Sequence, residues 1–190
     1  MKKYIRALGI DDSYFVPHMP GSANLVGIVM RYPNYIEGML LREIKVDGMD
    51  VTDALLDMLS SKYGRQIKII FTQGITFGGF NVLDLERIWN EYNIPIIVVS
   101  RKMPDLKTIE NALKKHFEDW EHRMKLIRRY EIESVQNGKY EVCVQLVGIE
   151  KKDAERIINA FTIRGAIPEP LRVAHLIASA LHFGESRGKP

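Results

Sequence analysis

A chain of 190 residues, 46% hydrophobic and 27% charged, is long enough to bury one core and too apolar to be a disordered polymer. Its formal net charge of +3 is too small to mark a nucleic-acid binder on charge alone. The single cysteine, Cys143, excludes an intramolecular disulfide and any cysteine-based zinc site; with no signal-peptide core and no run near the roughly 20 apolar residues of a membrane span, a cytoplasmic protein without membrane contact or disulfide-linked partners is expected.

Residues 4–11 form a short apolar run that stops at two carboxylates, Asp11 and Asp12, and reads as a buried strand. Pro17, Pro20 and Gly21 make residues 12–23 a loop. Residues 24–31 form a second strand, and after a turn at Pro33-Asn34 residues 36–47 suit a third, antiparallel to it. Thr52 is the expected N-cap of a helix carrying Ala54, Leu55, Met58 and Leu59 on one face and ending at Gly64. Residues 66–71 are a strand, 72–79 a glycine-rich loop, and Leu83, Ile88 and Trp89 mark a helix to residue 92. Residues 94–99, apolar on both faces, read as an interior parallel strand. One helix is expected over 106–127, then a hairpin of 130–135 and 140–147 around Asn137-Gly138, helices over 153–161 and 171–183 separated by Pro168-Glu169-Pro170, and a disordered tail at 185–190.

Three leading strands followed by alternating helix and strand describe one α/β domain over residues 1–184. It has the element order of a ribonuclease-H-like fold: a mixed five-stranded sheet flanked by helices, with an added C-terminal β-hairpin and two helices. A carboxylate at the end of a buried strand needs a cation or several donors to offset its desolvation. Asp11 therefore invites a functional reading, beside the plainer one in which it starts an Asx turn over Ser13.

Four short motifs resemble endonuclease V, a ribonuclease-H-like enzyme family that cuts nucleic acid near deaminated bases. Gly9-Ile10-Asp11-Asp12-Ser13-Tyr14 is similar to its G-[IV]-D-x-S-Y, and Ile70-Phe71-Thr72-Gln73-Gly74 stands at its L-V-D-G strand end. Pro95 to Arg101 resembles its P-T-I-G-V-A-K, and Pro168 to His175 its P-E-P-x-R-x-A-[DH]. Residues 9–15, 46–52 and 74–84 resemble more closely still an uncharacterised archaeal family related to endonuclease V.

The resemblance implies a nuclease dependent on Mg²⁺ or Mn²⁺ that acts on modified or structured nucleic acid. It makes Asp11 a catalytic metal ligand, with Asp47 or Asp50 in the place of the family's next acid; the register leaves both open. Side chains alternate along a strand, so Asp12 is expected to face away from Asp11. Tyr14, Gln73, Thr76 and Arg101 complete the expected substrate-binding set, Arg101 standing where the family has a lysine. Three departures are visible: Gln73 replaces a carboxylate, residues 148–152 lack the family's late histidine, and residues 35–38 only faintly echo its strand-separating wedge.

Each site residue has a plainer reading. Asp47 or Asp50 can cap the helix that follows. The glycines of 74–79 can serve close backbone approach rather than a phosphate. The basic residues of 107–129 are interleaved with acids, which favours a salt-bridged solvated helix over a nucleic-acid footprint. His175 and His182, seven residues apart, are too far apart for paired metal ligation and read as structural. The alternatives to a nuclease are a nucleic-acid-binding relative that has lost cleavage, and a protein that keeps only the fold.

Overall fold

The structure, a computed structural model, describes residues 5–17 and 19–188. In chain order the elements are β1 (Arg6–Asp12), β2 (Ser22–Arg31), β3 (Tyr35–Lys45), α1 (Val51–Ser60), β4 (Ile67–Gln73), β5 (Thr76–Phe77), β6 (Asn81–Val82), α2 (Leu85–Tyr92), β7 (Ile96–Ser100), α3 (Leu106–His116), α4 (Trp120–Arg128), β8 (Glu133–Asn137), β9 (Tyr140–Val147), α5 (Lys151–Phe161) and α6 (Glu169–Phe183). The main sheet runs β3-β2-β1-β4-β7-β9-β8. β1 lies parallel to β4 and antiparallel to β2, and β4 is parallel to β7, so the sheet is mixed.

β1 is central because it is apolar on both faces. Leu8 and Ile10 enter a core with Leu55, Leu59 and Ile70 on the side of α1. Ala7 faces the other side, among Phe71, Phe161 and Leu171. Val26, Ile28 and Met30 of β2 pack on Ala174 and Ala178 of α6. Phe161 is fully buried, with its ring edge-on to Phe71 and Tyr32, each at 5.7 Å. A side chain of that size contributes roughly 1.5–3 kcal/mol by burial.

The C-terminal hairpin is present and turns at Gly138, φ 59°. Rather than standing apart, it extends the five strands to seven, because β9 pairs antiparallel with β7. The helix expected over 106–127 is two helices. Phe117 turns extended after α3, its ring meeting Phe80 edge-on at 5.6 Å with the Arg123 guanidinium 4.4 Å above it; an apolar residue at helical spacing thus leaves the helix to fill a core gap. Thr52 lies inside α1 rather than capping it, and its hydroxyl accepts from the Asp84 N–H at 2.9 Å.

Pro168-Glu169-Pro170 does not interrupt the chain but opens α6. Proline is tolerated there because first-turn N–H groups have no helical partner. The segment expected as a disordered tail folds back on α6 over its described residues: Ser186 Oγ donates to the Leu176 carbonyl at 2.8 Å, and the Arg187 N–H to Ser179 Oγ at 2.7 Å. Residues 189–190 lie outside the described residues. Among the described residues, no helix is long and apolar enough to cross a membrane.

Candidate metal centre

β1 and β4 end side by side. Ile10 pairs with Thr72, so one residue further along each strand Asp11 and Gln73 are neighbours. Above them lies α6, brought in by a glycine. Gly9 shares the face of Asp11, and a Cβ there would stand 2.4 Å from the Pro170 carbonyl carbon. From Gly9 to Asp11 the strand advances about 6.6 Å, and from Pro170 to His175 the helix advances about 7.5 Å. The close approach at Gly9 therefore delivers His175 to Asp11: Nδ1 lies 2.9 Å from Oδ2.

Asp11 is 5% exposed, and its other oxygen accepts the Asp12 N–H at 3.0 Å. The hydrogen bond to Asp11 raises the pKa of His175 against the opposing effect of burial. Among the described residues Gln73 Oε1 is buried without a hydrogen-bond partner, whereas the imidazole of His175 also feels the Arg187 carbonyl, which raises its pKa further. Buried polar atoms in native proteins are nearly always satisfied, so the orphaned Gln73 oxygen calls for a ligand or water.

Asp12 leaves the strand on the opposite side, where its carboxylate accepts the Gly78 N–H. Burial pushes its carboxyl up to about 7, with the Gly78 hydrogen bond pulling down and the charge of Asp11 pushing further up. Because the strand ends here, Asp12 nonetheless borders the same cavity as Asp11. That cavity, of about 280 Å³, is lined among others by Asp11, Asp12, Tyr14, Gln73, His175 and Arg187.

The structure does not bring Asp47 or Asp50 to this cavity. Asp47, at φ 56°, donates its N–H to the Gly78 carbonyl at 2.7 Å and accepts the Phe80 N–H at 2.8 Å. Asp50 accepts from the Lys45 N–H at 3.2 Å and from Asn81 Nδ2 at 2.6 Å. Buried Arg123 completes the stitching by donating to the Gly48 and Phe80 carbonyls at 2.9 and 2.6 Å. These groups lock the turn after β3 against the β5–β6 turn, and Gly78 then meets Asp12 with its N–H and Asp47 with its carbonyl. Asp47 supports the peptide that holds Asp12.

Thr76 borders a different cavity, with Phe80 and Gln145, and Arg101 another, beside α6. Tyr14 stands at the rim of the Asp11 cavity, its ring 4.5 Å from His182 and 5.3 Å from Phe183. The glycines of the 74–79 loop serve backbone geometry: Gly74, Gly78 and Gly79 all have positive φ, and a Cβ on Gly79 would stand 2.2 Å from Asp47 Oδ1. In the basic segment Lys114 and Arg128 both pair with Glu110 at 2.6 Å, and Arg129 pairs with Glu86, which is the salt-bridged reading.

Two residues of the site escape a strand-by-strand reading. Asp12 is set aside by the alternation rule, and it does leave the strand on the other side, but as the last residue of β1 it still borders the cavity. His175 is set aside for its spacing from His182, although its place at the end of the Pro168–His175 motif is the signal that finds it.

Among the described residues no three His, Cys, Asp or Glu side chains are grouped to hold a metal ion. The donors gathered are instead two carboxylates and an amide oxygen, Gln73 Oε1. Such hard oxygen donors fit Mg²⁺ or Mn²⁺ rather than a soft metal, and the orphaned Gln73 oxygen is the atom that a cation would satisfy.

A UPF0215 protein of Pyrococcus furiosus is 46% identical over 190 residues, covering 98% of this chain and 96% of the relative. A crystal structure of a protein of unknown function from Archaeoglobus fulgidus superposes with a TM-score of 0.85 at 40% identity, over 95% of this chain and 99% of that one. Endonuclease V of Ciona intestinalis, in complex with a 24mer DNA containing an inosine followed by a ribo-adenosine, superposes with a TM-score of 0.60 at 15% identity, over 92% of this chain and 84% of that one. At that identity the likeness concerns the fold, the ribonuclease-H-like arrangement of endonuclease V. The profile of the family described as Endonuclease dU matches residues 3–182, and the chain belongs to that family.

Proposed function

We propose that the protein is a divalent-metal-dependent endonuclease that cuts DNA at a deaminated base, deoxyuridine being the candidate suggested by the description of its family. The observation that carries this reading is that Asp11, Asp12 and Gln73, the last with an Oε1 unpartnered among the described residues, line one cavity where β1 and β4 end. The likeness in fold to a DNA-bound endonuclease V supports it.

Asp11, Asp12 and Gln73 would hold Mg²⁺ or Mn²⁺, which supplies the charge that lowers the pKa of an attacking water and stabilises a leaving oxygen. His175 orients the Asp11 carboxylate through Nδ1, the role of a group behind a metal ligand. The Arg187 carbonyl and the Asp11 carboxylate both favour the protonated ring. Arg101, near enough for its charge to act on His175, adds positive potential for a phosphate.

The test is cleavage of labelled duplexes carrying deoxyuridine, deoxyinosine or no modification, with Mg²⁺, Mn²⁺ or EDTA. Metal-dependent nicking of a modified duplex that vanishes in Asp11→Asn is the expected result. Cleavage unaffected by EDTA, or none on any duplex, would overturn it. A second reading, a DNA-binding relative without cleavage, draws on Gln73 standing where endonuclease V has a carboxylate. It predicts salt-sensitive binding that survives Asp11→Asn and yields no product.

A further inference from the structure

The wall that α6 presents to the Asp11 cavity continues into a second hollow. His175 lines the first, and Leu176, the next residue, lines the second, which measures about 290 Å³ and is bordered by Arg101, Arg164 and Arg172. Arg101 follows β7, the strand beside the one that ends in Gln73. Among the described residues neither Arg101 nor Arg164 has a carboxylate partner. Arg172 is held by Glu169 through both oxygens, with Nε at 2.8 Å, which fixes the plane of its guanidinium. Three cations against one carboxylate leave the hollow positive, over an apolar floor of Ala166, Ile167 and Leu176.

The loop carrying Arg164 is built rather than merely connecting. Buried Asn137, at the end of β8, donates through Nδ2 to Thr162 Oγ1 and to the Ala166 carbonyl, both at 2.9 Å. Asn159 of α5 ties the same hairpin turn, donating to the Gln136 carbonyl at 2.8 Å and accepting the Gly138 N–H at 3.0 Å. The hairpin that widens the sheet thus also fixes the loop over the hollow. A cation on an anchored loop gives up less freedom when it binds an anion.

We propose that this hollow is a phosphodiester subsite. It receives a backbone phosphate one or two nucleotides along the strand from the linkage held at Asp11, with Arg164 and Arg101 as its hydrogen-bonding groups and Arg172 as a fixed neighbour. The subsite rests on the nuclease reading of the Asp11 cavity for its substrate and adds the place of a neighbouring phosphate. Guanidinium forks match phosphate oxygens, and contacts of this kind set register on the strand without reading bases. The apolar floor suits the sugar between two phosphates.

Binding in EDTA, where metal-dependent cleavage is off, tests the subsite directly. The probes are labelled duplexes with one deoxyuridine, each carrying a single neutral methylphosphonate linkage moved one position at a time around it. For the wild type, one flanking position should weaken binding about tenfold, the scale of one charged hydrogen-bond pair. Arg164→Gln should lose much of that factor on the unmodified duplex, respond less to the neutral linkage there because only Arg101 remains to meet the phosphate, and lower the salt slope by up to about 0.9. Arg164→Lys should recover part of the loss, and unchanged thermal melting would show that the exposed substitution folds.

Wild-type affinity and slope in Arg164→Gln would overturn the subsite. So would a free-anion site, seen as binding of inorganic phosphate to the wild type with no position-specific linkage effect. A parallel Mn²⁺ cleavage assay separates the two readings. A linkage effect without cutting sinks the nuclease and keeps the subsite; cutting with no effect of Arg164→Gln does the reverse.

Discussion

His175 Nδ1 lies 2.9 Å from Asp11 Oδ2, a contact that spans 164 positions of sequence and closes α6 onto β1. A group that orients a metal-bound carboxylate is typically worth 10–100-fold in metal affinity or activity. His175→Ala should therefore lower Mn²⁺ affinity or the cleavage rate by about that factor, read from metal titrations of both proteins. His175→Gln, which keeps a donor, should recover part of it. An alanine variant within twofold of wild type would remove His175 from the site.

Asp12 gives a pH dependence of known sign. Its pKa in the folded state, about 7, is above the ordinary 3.8, so between those values the native state keeps a proton that the unfolded chain has lost. Stability of the metal-free protein should fall as pH rises through that window and level off above it. Asp12→Asn should reduce the slope, leaving the part that the raised pKa of His175 contributes with the same sign, and stabilise the metal-free protein at pH 8 by up to about 3 kcal/mol, measured by urea unfolding at pH 5 and pH 8. Mn²⁺ competes with the proton, so its stabilising effect should be larger at pH 8. Equal denaturation midpoints for both proteins at both pH values would contradict this.

Gly9→Ala places a methyl group 2.4 Å from backbone that cannot swing aside. It should cost about 1–3 kcal/mol by overpacking and also push His175 away from Asp11. The informative comparison is Mn²⁺ affinity well below the melting temperature: a variant that is destabilised but binds metal normally would show that α6 can reseat.

Asp47 separates a ligand from a support. Asp47→Ala loses the acceptor for the Phe80 N–H at a left-handed position, a destabilisation of about 2–4 kcal/mol. Because its carboxylate lies outside the Asp11 cavity, Mn²⁺ affinity at low temperature should stay within about threefold of wild type, less than the 10–100-fold expected of a metal-orienting group. A complete loss of metal binding in a folded variant would restore Asp47 as a ligand.

Gln73→Asp supplies the carboxylate that the resemblance to endonuclease V implies at this place. Three acids around one cavity should weaken the metal-free protein through like-charge repulsion. They should also raise Mn²⁺ affinity by tenfold or more, about 1.4 kcal/mol, so that thermal melting falls in EDTA and rises in Mn²⁺. No change in either condition would place residue 73 outside the metal centre.

The helices and strands follow from local causes and were legible as such. β1 is apolar throughout and stops at acids, Asn137-Gly138 makes a hairpin, and Leu55, Met58 and Leu59 recur at helical spacing. Misreadings occur where a local signal meets a tertiary demand. Phe117 continues a helical pattern but is drawn out of the helix by Phe80 and Arg123. Pro168 and Pro170 look like breakers, yet occupy the only turn of a helix where a missing N–H costs nothing.

By itself the amino-acid order determined the mixed α/β layout, the burial of β1 and the place of Asp11 at its end, because burial on two faces and turn chemistry act over a few residues. Only the tertiary structure decided which acids share a cavity. Asp11 meets His175 because Gly9 lets Pro170 approach, and Asp47 is turned away because the backbone of Gly78 and Phe80 offers it partners first. Groups distant in sequence become neighbours only when strand and helix faces pack, so their chemistry is a property of the packing.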